Sequence, residues 1–198
     1  MKTAAAFLLL MACVAAKAET AEDVLDKAIN VMNRKSGIRA SFALTTERGK
    51  TFTGTVWIKG DKLKLVTDGA SLWFDGSTLW TYITRNEEVN VTNPSDEMVN
   101  RVNPAKLLAK CKNDYTHSME RDGTDYVINM TATSSATDIS EMTVTINSSD
   151  SHVSQIKFKM PKGWNTVDIS DIDTSAVDDA TFVFNAKDYP QAEIIDLR

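Results

Sequence analysis

The feature that most restricts this chain is a change of hydrophobic period at Ile38. Before it, Val24, Leu25, Ala28, Ile29 and Met32 recur at helical spacing, with Thr20 and Asp23 placed as an N-cap and its acidic N3 partner. This predicts an amphipathic helix of about four turns, ending before Gly37. After it the period is two: Ile38, Ala40, Phe42 and Leu44 fall on one face, and Arg39, Ser41 and Thr45 on the other. A chain that alternates over most of its remaining length must build a sheet with one apolar face, and that face needs a cover.

The alternation continues in segments set off by turn residues. Phe52, Gly54, Val56 and Ile58 share a face after Gly49-Lys50, and Leu63 and Leu65 follow Gly60-Asp61. Asp68-Gly69 and Asp75-Gly76 read as tight type I′ hairpin turns, making strands of residues 71–74 and 78–84, which Val89 and Val91 continue. Trp57 and Trp73 fall on the polar parity. That places them in solvent, at an edge or across a long neighbouring side chain.

Two Asn-Pro pairs interrupt the pattern, each read as an N-cap asparagine with proline at N1. They open short helices, the first with Met98 and Val102 and the second with Leu107, Leu108 and Cys111. Strands then resume with Tyr115, His117 and Met119; Tyr126, Ile128 and Met130; Met142, Val144 and Ile146; and Ile156, Phe158 and Met160. Trp164 to Ile169 forms another, and an acidic connection over residues 171–179 leads to a closing strand, Thr181-Phe182-Val183-Phe184. The expected fold is mainly β with a few helices (α+β), about ten antiparallel strands in one sheet.

So many strands leave more apolar face than these helices can fill, so the pattern predicts an apolar cavity. Its wall is assigned to Phe42, Leu44, Val56, Ile58, Leu63, Leu65 and Met119, and its lid to Leu25, Ile29, Met32, Met98, Val102, Leu107 and Leu108. Taken singly, each of these residues would serve equally well as ordinary core.

Residues 1–18 read as a cleavable signal peptide: an early lysine, an apolar run too short to span a bilayer, and Ala16-Lys17-Ala18 as the cleavage site. Leu10-Met11-Ala12-Cys13 offers a rival lipobox reading in which Cys13 is lipidated. On the first reading residues 19–198 form one exported domain held by its core alone, since Cys111 has no partner for a disulfide. The formal net charge is −5, and more negative without Lys2 and Lys17. With no run of Lys/Arg in the sequence, this argues against nucleic acid or an anionic membrane as a partner.

Four local words, Ala40-Ser41-Phe42 after the first helix, Gly54-Thr55-Val56-Trp57-Ile58-Lys59, the hairpin Asp75-Gly76-Ser77-Thr78-Leu79-Trp80 and the stretch Ala176 to Phe184, resemble those of the outer-membrane lipoprotein carrier protein (LolA) family. The resemblance implies a curved, unclosed antiparallel half-barrel with lid helices on its concave side, and a monomer that holds lipoprotein acyl chains. It implies as partners lipoproteins and an inner-membrane lipoprotein-release transporter, with an acceptor at the outer membrane that the resemblance leaves unidentified. Where the family carries Arg-Pro, with the arginine latching the lid, this chain has Gly60-Asp61, so that latch does not carry over. A carrier of free lipids or glycolipids and a lipoprotein-sensing module are the alternatives on the same scaffold.

Catalytic readings lack their residues. There is no Gly-x-Ser-x-Gly elbow and no Walker loop, and His117 and His152 have no ligand-spaced partner. The stretch from Asp171 resembles a calcium loop only at its start, because Ala176 and Phe182 stand where glycine and glutamate are needed. Neither a cofactor nor a metal is expected.

Overall fold

A computed structural model describes residues 19–198. The signal-peptide reading and the Cys13 lipobox lie outside the described residues. In chain order the elements are α1 (Ala21–Met32), β1 (Ile38–Thr45), β2 (Thr51–Lys59), β3 (Lys62–Thr67), β4 (Ala70–Phe74), β5 (Leu79–Ile83) and β6 (Glu88–Thr92). Then come α2 (Asp96–Val102), α3 (Pro104–Asp114), β7 (Tyr115–Asp122), β8 (Asp125–Ala132), β9 (Glu141–Ile146), β10 (Val153–Met160), β11 (Gly163–Asp173) and β12 (Glu193–Asp196).

The strands make one twelve-stranded sheet in the order β12-β6-β5-β4-β3-β2-β1-β11-β10-β9-β8-β7. Its two edges, β12 and β7, do not meet, so the barrel is open, and the helices lie on one face. Every pairing is antiparallel except that of β12 with β6. About ten antiparallel strands were expected. The two differences are that β12 runs parallel and that the expected closing strand at residues 181–184 is absent. The chain there forms a 3₁₀ turn (Asp179–Phe182) with Phe182 fully buried.

Local signals account for the helix starts. Thr20 caps α1 with both halves of the capping box made to Asp23, satisfying donors the first turn leaves free. Asn103 caps α3, its Oδ1 accepting from the Ala105 and Lys106 amides, with Pro104 at the first helical position. The first Asn-Pro pair behaves differently: Ser95 caps α2, and Asn93 stays outside it. The Asp-Gly turns also divide. Gly76 has φ of 103°, and the Asp75 carboxylate accepts from the Ser77 and Thr78 amides in a four-residue loop, whereas Gly69 stays out of the left-handed region. Neither is the two-residue type I′ turn that the Asp-Gly signal predicts.

Two separate cores follow from where the helices land. The larger joins α1 and α3 to β7–β10 through Leu25, Leu108, Ile128, Met130, Met142 and Val144. The smaller joins Val99 of α2 to Ile58, Leu63, Phe74 and Leu79. An ion pair between Lys112 and Asp26, at 2.6 Å, ties α3 to α1.

The opposite face of the sheet is covered over β3–β6 by the C-terminal segment. Asp179 bridges Lys59 and Lys62 at 2.8 and 3.2 Å, and Phe184 and Tyr189 pack edge-on against Trp73 at 5.3 and 5.5 Å between ring centroids. Trp73 is therefore 4% exposed despite its polar parity. Trp57, half-buried, lies between the Arg39 guanidinium and the Lys64 ammonium, at 5.6 and 5.1 Å. Burial beside these rings lowers the Lys64 pKa.

Candidate functional site

Between the two cores the helix-facing side of the sheet is not sealed. Strand register places Phe42 opposite Gly54 and Ile169, Leu44 opposite Phe52 and Val167, and Val56 opposite Leu65. Phe42, Leu44, Val56, Leu65, Val167 and Ile169 are each half-buried, and Phe52 is 41% exposed. Beside this stripe Ile58 and Leu63 on one side and Ile156 on the other are buried, while Leu72 and Phe158 are half-buried like the stripe itself. Val167 and Ile169 pack against the larger core and Val56 against the smaller, so the stripe joins the two and stays only partly covered.

Gly54 shapes the floor. A Cβ built there would lie 2.4 Å from the Val66 carbonyl oxygen and 2.7 Å from Phe42 Cζ, so only glycine lets the backbone bend this closely and the Phe42 ring lie across it.

A cavity of about 800 Å³ opens where the C-terminal half of α3 faces the loop between β8 and β9. Its apolar lining includes Leu107, Cys111, Tyr115, Ile139 and Met160, and Lys110 and Asp114 stand at its polar side. The Tyr115 hydroxyl donates to the Ile139 carbonyl. Burial pushes the Cys111 thiol and the Tyr115 phenol above their ordinary pKa values, so both stay protonated near neutrality and neither supplies a nucleophile.

The fourteen residues assigned to wall and lid divide accordingly. Phe42, Leu44, Val56 and Leu65 come together on the stripe. Ile58 and Leu63 are sealed in the smaller core at 3% and 1% exposure, while Leu25, Met32 and Leu108 are sealed in the larger. Ile29 and Met119 pack against the larger core, Met119 on the edge strand β7. Leu107 alone of the fourteen lines the 800 Å³ cavity, and Met98 and Val102 lie exposed on α2. Phe52, Val167 and Ile169 complete the stripe. Their parity was visible in the alternation of β2 and β11, but their partial exposure was not.

Next to Gly60, which stands at the position of the missing arginine, Asp61 in the β2–β3 turn pairs with Lys106 of α3 at 2.9 Å. This contact also joins sheet to lid. Asp61 is largely exposed, so the pair is worth at most about 1 kcal/mol.

The fold is thus an unclosed sheet with helices on one face and a partly covered apolar stripe between two cores. The chain belongs to the outer membrane lipoprotein carrier protein LolA family, whose sequence profile matches residues 11–163. No curated protein sequence matches it. In fold it is similar to an uncharacterized conserved protein from Thermus thermophilus, with a TM-score of 0.63 at 11% identity over 90% of this chain and 99% of that one. It is also similar to MucB, with a TM-score of 0.51 at 12% identity over 84% of this chain and 63% of that one. At these identities the likeness is one of fold. Among the described residues no helix is long and apolar enough to cross a membrane.

Proposed function

We propose that this protein is a periplasmic carrier that takes the acyl chains of lipoproteins onto the stripe formed by Phe42, Leu44, Phe52, Val56, Leu65, Val167 and Ile169. It receives them from an inner-membrane release transporter and delivers them towards the outer membrane. The observation that carries this reading is the half-buried stripe lying between two sealed cores. Family membership supports it.

The physical need is plain: each CH₂ moved from an apolar phase to water costs about 0.8 kcal/mol, so a multi-chain anchor cannot cross an aqueous space at a useful rate unless it is sheathed. Transfer on such a surface is passive. A chain leaves one apolar surface for another of higher affinity, and any energy input belongs to the membrane partner.

The test is titration of the purified protein with pyrene-labelled palmitate. Saturable binding is expected, and Leu65→Glu is expected to weaken it about tenfold or more while the far-ultraviolet circular dichroism stays native, because the carboxylate lies beneath the bound chain. A wild-type protein that does not bind the probe refutes the proposal. Depletion in the native organism separates the cargoes, since only a lipoprotein carrier leaves lipoproteins stranded in the inner membrane.

A further inference from the structure

One end of the half-barrel combines exposed apolar side chains with cations. Because β1 pairs with both β2 and β11, the β1–β2 turn and the β10–β11 turn lie side by side. The approach is close enough that a Cβ on Gly163 would lie 3.1 Å from Glu47 Cβ. Around these two tips Phe52, Met160 and Trp164 are 41%, 40% and 42% exposed. The Lys50 ammonium lies 4.4 Å from the centroid of the Phe52 ring, and that of Lys159 lies 5.8 Å from Trp164.

Against the acidic balance of the whole chain, a net charge of −5, this end holds a local excess of cations: Arg48, Lys50, Lys159 and Lys162 beside Glu47 and Glu141. Arg48 is partnered by Glu47 at 3.6 Å, and Lys159 by Glu141 at 2.6 Å. Lys50 and Lys162 have no ion-pair partner among the described residues. Residues with an apolar body and a cationic or aromatic tip suit the boundary between headgroups and acyl chains. From β2 to β10 the patch spans three strand spacings, about 14 Å. It also adjoins the large cavity, since Met160 lines that cavity.

We infer that this end, formed by the tips of the β1–β2 and β10–β11 hairpins, is a docking face for an anionic lipid bilayer. Lys50 and Lys162 meet the headgroups there, and Trp164 and Met160 enter the interface. The acidic remainder of the chain is repelled by the same surface, so docking is oriented. Phe52 belongs to both patches, but Lys50, Lys162 and Trp164 lie outside the stripe, Trp164 on the opposite sheet face, so the inference does not rest on the acyl-binding proposal.

The experiment is flotation of the full protein with vesicles of phosphatidylcholine, with and without phosphatidylglycerol. Wild type is expected to float with the anionic vesicles at low salt and to dissociate at high salt. Lys50→Ala and Lys162→Ala should each lower the partition coefficient about fivefold, and Trp164→Ser should lower it further. All three variants are expected to keep their affinity for pyrene-labelled palmitate, which separates failure here from failure of the carrier reading. Absence of wild-type flotation, as when the patch serves an acidic protein surface, overturns the inference. So does flotation indifferent to Lys50 and Lys162.

Discussion

Gly54→Ala tests the geometry on which the cleft depends. The added methyl would sit 2.4 Å from the Val66 carbonyl oxygen, and 2.7 and 2.8 Å from Cζ and Cε1 of Phe42. The ring can rotate away, but the carbonyl belongs to a strand bonded on both sides and can move only with the sheet. Overpacking of this kind costs about 1–3 kcal/mol, and a backbone contact places it at the upper end, about 3 kcal/mol. For a chain of this length each kcal/mol lowers the melting temperature by about 2–4 °C, so a loss of about 6–12 °C is expected in a thermal scan followed by circular dichroism. A double-mutant cycle separates the two contacts. If only the ring resisted, Phe42→Ala would abolish the effect of Gly54→Ala. The carbonyl argument instead has most of the loss persisting in the double variant. A Gly54→Ala protein within about 0.5 kcal/mol of wild type would refute the account of the bend.

Three further outcomes follow from placement. Ile58→Glu, at a position 3% exposed, should destabilise the protein by about 4 kcal/mol or more in chemical denaturation, in contrast to the folded but binding-deficient Leu65→Glu. Phe182→Ala, from full burial, should cost about 3–5 kcal/mol in the same assay, although no regular strand or α-helix contains it. Lys59 and Lys62 hold the Asp179 carboxyl below its ordinary value near 3.8. Its contribution to stability is therefore present above that value and lost as pH falls through the lower folded one. Asp179→Asn should melt below wild type at neutral pH, and the gap should close in strongly acidic buffer.

The helical and strand elements were legible wherever the determinant is local. The capping box at Thr20 and Asp23, the Asn103-Pro104 start and the alternation from Ile38 onward each rest on neighbours within a few residues. The Asp-Gly pairs marked hairpins correctly but not their turn types, because the Asp75 side chain accepts amide bonds from its own loop and changes the geometry. For the site, alternation assigned Phe42, Leu44, Val56 and Leu65 to the same face as Ile58 and Leu63. Parity says which face a side chain is on, not whether a helix lies over it.

What the sequence determined alone was therefore α1–α3, β1–β11 and the apolar face most of them share, but not β12 or the 3₁₀ turn at Phe182. Tertiary structure decided how that face divides into two sealed cores and an open stripe, since the division depends on where α1, α2 and α3 come to rest across contacts distant in sequence. It also decided the fate of the C-terminus. Trp73 is buried and β12 runs parallel to β6 because residues 174–198 cross the outer face, and no local period can encode a partner about a hundred residues away.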